Sequence, residues 1–145
     1  MPQAKSPVVV EPSPEAAPLS ATELLQAARR QIRQGRYAEA ADAYATITSA
    51  HPQSEEAHTV RVSLGQLYLV RLGQPQRALE ELDAYLAQGA GPLAEEARAT
   101  RIGALRALGR VEDEVAAIED FLAKHPRSFE ANALRSRLTA LRSGE

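Results

Sequence analysis

The chain has 145 residues, a formal net charge of −2 and no cysteine. The absence of cysteine excludes disulfides, thiolate nucleophiles and Cys-based zinc sites, and the net charge argues against a dedicated nucleic-acid binder. No apolar run approaches the roughly 18 residues that a membrane-spanning helix needs, so none is predicted.

Residues 1–19 form a segment of distinct composition that holds five of the chain's nine prolines. Proline lacks an N–H and fixes its φ angle, so these residues exclude a helix and predict an extended linker or arm. Val8, Val9 and Val10 are its apolar element, and they either contact nothing or dock on a neighbouring surface. This short apolar run does not resemble the core of a signal peptide.

Helical signals begin at Ser20. Ser20 and Glu23 form a capping box, in which the serine side chain accepts from the third helical amide and the glutamate reaches back. Gly35 marks the predicted end of this first helix, because glycine commonly follows the last residue of a helix. A second helix is predicted from Arg36 to Ala50 and ends at His51-Pro52, and Ser54 caps a third helix that Gly73 closes.

Proline and glycine also delimit the second half of the chain. Pro75 suits the first turn of a fourth helix, and residues 89–92 (GAGP) form a clear break. Three further helices are predicted, up to Leu108, from Val111 to Lys124, and from Ser128 to about Leu141. No strand pattern follows Ser20, so the predicted fold class is all-α.

An internal repeat underlies these helices. Residues 35–57 align without a gap with residues 109–131, and eight of the 23 positions are identical. The unit between them is slightly longer, which we assign to the turn at Gln74 and to residues 88–92. Repetition at this period predicts a stacked array of helix pairs.

The repeated unit resembles the tetratricopeptide repeat, a helix–turn–helix of about 34 residues. The first copy matches that pattern at Leu24, Gly35, Tyr37, Ala40, Tyr44 and Pro52, and the second at Leu64, Gly65, Tyr68 and Ala78. The third is the poorest, since Glu114 stands where Ala40 stands in the first, so that its packing must differ or its helix must rotate. The resemblance implies a right-handed solenoid with three hairpins at about residues 20–53, 54–91 and 92–127, and a capping helix at 128–142.

A narrower resemblance rests on short motifs. Residues 91–96 (GPLAEE), 104–110 (ALRALGR) and 121–128 (FLAKHPRS) resemble helical-repeat tails of FecR-type and anti-sigma-type envelope regulators of bacteria. Residues 51–57 (HPQSEEA) resemble periplasmic repeats of outer-membrane assembly lipoproteins. These motifs imply one part of a larger bacterial envelope-associated protein, with a periplasmic location favoured over a cytoplasmic one.

The family resemblance also implies a groove for a protein partner, because the first helix of each hairpin lines the concave face in tetratricopeptide arrays. It places eight residues there: Leu25, Arg29, Ile32, Arg33, Val62, Gln66, Leu69 and Arg106. Guanidinium groups bind carboxylates in a bidentate manner, so we expect an extended or helical segment that carries acidic residues. Chaperone-binding members of the family clamp a C-terminal carboxylate with Lys and Asn at fixed positions. Those residues are missing here, so that activity is not predicted.

No catalytic or metal-binding pattern accompanies the repeat. Gly-rich phosphate loops and a nucleophile elbow are absent from the sequence, so we predict neither an enzyme nor a cofactor. His51 and His125 occupy equivalent turns and are interpreted as turn residues, and the acidic run 112–114 as dipole stabilisation of a helix start. The alternative function is a structural oligomerisation or spacer domain that associates with itself through the N-terminal arm.

Overall fold

Seven helices and no strand occur within residues 17–144, which are the residues that the computed structural model describes. The helices are α1 Ala21–Arg33, α2 Tyr37–Ala50, α3 Glu55–Gln66, α4 Pro75–Ala87, α5 Ala94–Ala107, α6 Val111–Lys124 and α7 Ala131–Ser143. The all-α prediction is confirmed. The valines at 8–10 and most of the predicted linker lie outside the described residues. No described helix combines the length and the apolar character that crossing a membrane requires.

The predicted helix ends are formed by local hydrogen bonds. Ser20 Oγ accepts from the Glu23 amide at 3.1 Å, and Glu23 Oε2 accepts from the Ser20 amide at 3.2 Å, which completes the capping box. Ser54 Oγ accepts from the Ala57 amide at 3.0 Å at the start of α3. Gly35 has a φ of +73°, the left-handed conformation that glycine adopts at little steric cost.

Small side chains let the helix pairs stack closely. Ala28, Ala40, Ala78 and Ala104 are fully buried at 0% exposure, each on a different helix from α1 to α5. Tyr44, Ile47, Leu64 and Tyr68 fill the space between them in one continuous cluster. A second cluster around Ile102, Ile118 and Phe121 joins α5 and α6 to α7. This stacking of hairpins explains how a chain with few aromatic residues builds a core.

The second repeat is lengthened inside its first helix. Residues Leu67–Arg71 continue α3 as a π-helical segment, in which the Leu72 amide donates to the Leu67 carbonyl at 3.0 Å. A π turn accommodates an inserted residue without ending the helix. The extra length that we assigned to the Gln74 turn therefore lies partly in this segment, and the remainder forms the loop between α4 and α5.

Glu114 is the exception in the third repeat. Its side chain is 1% exposed, so the helix has not rotated relative to the position of Ala40. The carboxylate accepts from Arg106 Nε at 2.9 Å, from Arg137 Nε at 2.8 Å and from Arg137 Nη2 at 3.1 Å. Dipole stabilisation therefore accounts for the exposed Glu112 and Asp113 only, and Glu114 joins α5, α6 and α7 through these two arginines.

Candidate functional site: a groove along α1, α3 and α5

A groove runs along the face formed by α1, α3 with its π-helical segment, α5 and the start of α7. It consists of three adjoining cavities of about 310, 560 and 400 Å³, here called the N-terminal, central and C-terminal cavities. Tyr44 and Ser63 line both the N-terminal and the central cavity. Ala99, Gly103 and Glu130 line both the central and the C-terminal cavity. The three cavities thus form one continuous surface.

The N-terminal cavity brings together Leu25 and Arg29, as predicted, with Tyr44 between them and α3. Burial raises the pKa of the Tyr44 phenol, and the positive charge of Arg29 partly opposes that rise. Glu55 and Glu56 line the opposite side of this cavity. Neither glutamate was predicted to line the groove, so the mixed charge of this cavity was not predicted.

The central cavity contains three further predicted residues, Ile32, Gln66 and Leu69. Gln66 Nε2 donates to Glu96 Oε1 at 2.5 Å, which fixes its side chain between α3 and α5. Val70 belongs to the π-helical segment and lines the same cavity while remaining 69% exposed. An apolar side chain this exposed within a concave surface offers apolar surface area that a partner could bury.

Val62 was predicted to line the groove, and this prediction is wrong. Its side chain is 1% exposed and packs with Leu82, Tyr85 and Ala97. At Val62 the neighbouring helices α4 and α5 cover the face of α3. The same face is uncovered further along the helix, at Gln66 and Leu69. Val62 therefore contributes to the core and offers no surface to a ligand.

Arg33 lies with Gln26, Arg29 and Arg30 around a shallow depression of about 220 Å³ on α1. Within residues 17–144, none of these three arginines has a carboxylate within 4.0 Å, whereas eight other arginines do. Arg29 also lines the N-terminal cavity. We call Arg29, Arg30 and Arg33 the α1 arginine cluster; Arg33, which was predicted for the groove, lines only this depression, and Arg29 connects the depression to the groove.

Arg106 lines the C-terminal cavity, as predicted, but its charge is already paired. Arg106 Nε donates to Glu114, and Arg137, which lines the same cavity, donates to the same carboxylate. Arg106 therefore shares its charge with Glu114, while its side chain remains 48% exposed, and its role toward an acidic ligand stays a prediction. Phe129, 94% exposed, lines this cavity instead and is the most exposed large apolar side chain among residues 17–144.

The two histidines predicted as turn residues lie at the C-terminal ends of α2 and α6. His51 Nε2 and the Leu19 carbonyl oxygen are 3.0 Å apart. His125 Nε2 lies 3.2 Å from Arg98 Nη1. Among residues 17–144 there is no group of three or more His, Cys, Asp and Glu side chains that could hold a metal ion.

Val70 and Phe129 are the large exposed apolar side chains of the groove, and neither was predicted from the sequence. Val70 follows Gln66 by four residues, a helical spacing that could have placed it in the groove beside Leu69. Phe129 follows Ser128, where the last helix was predicted to begin, whereas α7 begins at Ala131. A large aromatic residue in the turn before this helix was a signal that could have indicated the groove.

Comparison with known proteins agrees with this architecture. A family model described as a tetratricopeptide repeat matches residues 25–89 and again residues 67–129. No curated protein matches the chain. Two solved structures are similar over most of their length. The first TPR of Spaghetti (RPAP3) bound to the HSP90 peptide SRMEEVD is 23% identical with a TM-score of 0.67, covering 86% of this chain and 91% of that one. The first TPR domain of human RPAP3 is 27% identical with a TM-score of 0.64, covering 85% and 93%.

Proposed function

Since the chain belongs to the tetratricopeptide repeat family, we propose that it is a non-catalytic protein-interaction module whose groove binds a peptide segment. The segment carries acidic residues that meet the α1 arginine cluster and an apolar side chain that enters the central cavity. Its partner is a protein or a peptide, and the module needs no cofactor for this role.

The proposal rests on two features found side by side: arginines without a carboxylate partner among residues 17–144, and an exposed apolar cavity. Arg29 and Arg33 have no carboxylate partner within residues 17–144, and like charges four residues apart on a helix repel each other. A bound carboxylate relieves that repulsion and satisfies the guanidinium groups. Burial of Val70 by the same ligand removes apolar surface from water.

The solved structure of the first TPR of Spaghetti with the HSP90 peptide SRMEEVD shows that protein holding a short acidic segment. At 23% identity the likeness concerns the fold, so the ligand chemistry is argued from the groove of this chain alone. The only two lysines are Lys5 and Lys124, and Lys124 pairs with Asp120 at 2.6 Å. We therefore propose that recognition relies on acidic side chains rather than on a terminal carboxylate.

A pair of labelled peptides tests the proposal. The probe is SRMEEVD with a fluorophore at its N-terminus, and the comparison peptide has both glutamates replaced by glutamine. We expect the probe to bind the full chain at least about tenfold more tightly than the comparison peptide, each charged contact being worth about 1.5 kcal/mol or more. Amidation of the probe's C-terminus should change affinity less than twofold. Equal binding of the acidic and the neutral peptide contradicts the proposal.

Charge reversal locates the binding surface. Arg29→Glu with Arg33→Glu should weaken probe binding by about tenfold or more, because it replaces attraction with repulsion. The matched control reverses Arg127 and Arg135, two exposed arginines near the turn before α7, and should leave affinity within twofold. If both double variants weaken binding equally, the interaction is general charge attraction and the groove assignment is wrong.

The narrower envelope context is proposed on the sequence motifs at 91–96, 104–110, 121–128 and 51–57 alone. We propose a larger bacterial envelope-associated protein, and fractionation of the source cells with an antibody to this domain tests it. Recovery in the cytoplasmic fraction alone contradicts this context.

The alternative role in self-association is decided by light scattering on the full chain. The exposed Val70 and Phe129 are apolar surface that a second copy could cover. A monomer at tens of micromolar argues for the partner-binding role. A concentration-dependent dimer that replacement of Val8, Val9 and Val10 by serine dissolves argues for the structural role through the N-terminal arm.

A further inference from the structure

We propose that the chain's own N-terminal segment, residues 8–15 (VVVEPSPE), is an intramolecular ligand of the groove and competes with outside partners. The inference rests on the proposed function, because it assigns an occupant to the same surface. The described residues fix the point from which the segment starts, the distance it must cover and the chemistry it meets.

The starting point is fixed at the edge of the N-terminal cavity. The Leu19 carbonyl oxygen lies 3.0 Å from His51 Nε2, which holds the chain against the turn between α2 and α3. Thr22 Oγ1 lies 3.5 Å from Glu56 Oε1, and Glu56 lines the N-terminal cavity. The chain therefore enters α1 beside the cavity at which the groove begins.

The segment is long enough to follow the groove back along α1. A proline-rich chain extends by about 3.1 Å per residue, so Val10 reaches up to roughly 22 Å from Ala17. An α-helix rises about 1.5 Å per residue, so Ile32 lies roughly 18 Å from Ser20 along α1. The valines at 8–10 can thus reach the central cavity, and Glu11 then lies level with Arg29 and Arg33.

The chemistry of the segment agrees with this register. Three consecutive valines suit the central cavity, which Ile32, Leu69 and Val70 line with apolar surface. Glu11 follows them directly, and the α1 arginine cluster has no carboxylate partner among residues 17–144. One short sequence therefore supplies both the apolar and the acidic element that the groove requires.

The connection favours the chain's own segment over a second copy. A short linker holds a tethered ligand at an effective concentration in the millimolar range, which exceeds the concentration of a second copy in a micromolar solution. A contact too weak to form a dimer at that dilution can therefore still occupy the groove from within.

Paramagnetic labelling tests the placement directly. The chain has no cysteine, so Ser6→Cys carries a single nitroxide label in the full chain. We expect at least a twofold loss of amide signal intensity at Ile32, Gln66, Leu69 and Gly103, and a clearly smaller loss along the outer helix α4. Replacing Val8, Val9 and Val10 by serine should restore those signals. Uniform loss, or loss that persists in the serine variant, overturns the proposal.

A mixed sample separates the chain's own segment from that of a neighbour. Spin-labelled chain without ¹⁵N is added to unlabelled ¹⁵N chain, so that any signal loss reports a contact between copies. We expect unchanged intensities at these positions. A loss equal to that in the singly labelled sample shows that the segment binds another copy and overturns the intramolecular assignment.

Competition measures the consequence for outside ligands. The triple Val→Ser variant of the full chain should bind the SRMEEVD probe about three- to tenfold more tightly than the unmodified chain, because the groove is no longer occupied. The matched control is Val111→Ser, a change of similar chemistry at an exposed valine outside the groove.

Equal affinity in the triple variant, with binding still weakened by Arg29→Glu and Arg33→Glu, overturns this inference and leaves the proposed function standing. If neither chain binds the probe, the proposed function fails, and the paramagnetic experiment still decides whether the segment lies in the groove.

Discussion

Arg137 of α7 donates hydrogen bonds from Nε and Nη2 to the two carboxylate oxygens of Glu114 of α6, at 2.8 and 3.1 Å. The carboxylate is 1% exposed and also receives Arg106 Nε from α5. A buried carboxylate is costly unless it is paired, and here two guanidinium groups on two other helices pair it. The C-terminal helix is thus held by charge as well as by the apolar cluster of Leu134 and Leu138.

Replacing this carboxylate by an amide of the same shape should destabilise the protein. Glu114→Gln removes the charged acceptor and leaves both arginines with a weaker partner, at an expected cost of about 1–3 kcal/mol in the free energy of unfolding. Urea denaturation measures it. Glu119→Gln is the matched control, because Glu119 pairs with Arg142 of α7 at an exposed site, where the expected change is below about 0.5 kcal/mol. Equal costs for the two variants would contradict the special role of Glu114.

The same group should make stability depend on acid. The hydrogen bond from Arg137, together with that from Arg106, lowers the pKa of Glu114 in spite of the burial that opposes it. A carboxyl whose pKa is lower in the folded than in the unfolded state stabilises the fold above the unfolded pKa, near pH 4.5. That contribution is lost as the pH falls through the lower, folded value.

Denaturation curves between pH 7 and pH 3 check this dependence. The unmodified chain should lose stability as the pH falls below about 4.5, and Glu114→Gln should show a shallower loss over the same range. Glu119→Gln should follow the unmodified chain. A Glu114→Gln curve parallel to that of the unmodified chain would show that Glu114 does not contribute to the acid response.

Ala40 tests the close approach of the helices. Its side chain is completely buried, so Ala40→Leu should overpack the contact between α1 and α2 and cost about 1–3 kcal/mol. Ala38→Leu on the same helix is the control, because Ala38 is exposed and its replacement should change the melting temperature little. An unchanged melting temperature for Ala40→Leu would mean that the first repeat is packed in a different register.

Val70 tests the apolar part of the groove without disturbing the core. Since Val70 is 69% exposed, Val70→Ser should leave the free energy of unfolding within about 0.5 kcal/mol. It should weaken binding of the SRMEEVD probe by about three- to tenfold, because the ligand then buries less apolar surface. Val111→Ser, at a valine 47% exposed on the first turn of α6, should change neither quantity. Unaltered probe binding by Val70→Ser would place the ligand elsewhere.

The parts of the fold that depend on local rules could be predicted from the sequence. The capping box at Ser20 and Glu23 involves residues three positions apart, and Gly35 ends α1 through its own backbone conformation. Such signals are complete within one turn of helix. The repeat then relates distant segments to one another and predicts the stacking of hairpins.

The parts that depend on neighbouring helices could not be predicted. Val62 shares a helical spacing with Gln66, and only the position of α4 and α5 decides that one is buried and the other lines the groove. Arg106 and Glu114 are eight residues apart across a turn, so no helical spacing predicted their ion pair. Arg77 and Glu81 are four residues apart and Glu95 and Arg98 three, spacings typical of ion pairs within one helix. Instead, Arg77 stacks over Tyr68, and Arg98 pairs with Asp120.

The π turn at Leu67–Arg71 has a consequence for how such a groove can change. One additional residue rotates the residues beyond it by about 100° around the helix axis, and here Val70 lies in the π-helical segment and lines the cavity, while Leu67 and Tyr68 of the same segment pack in the core. The surface offered to a ligand can therefore be altered by the length of one helix as well as by the identity of its side chains. A deletion of a single codon in this stretch should therefore change which residues face the partner.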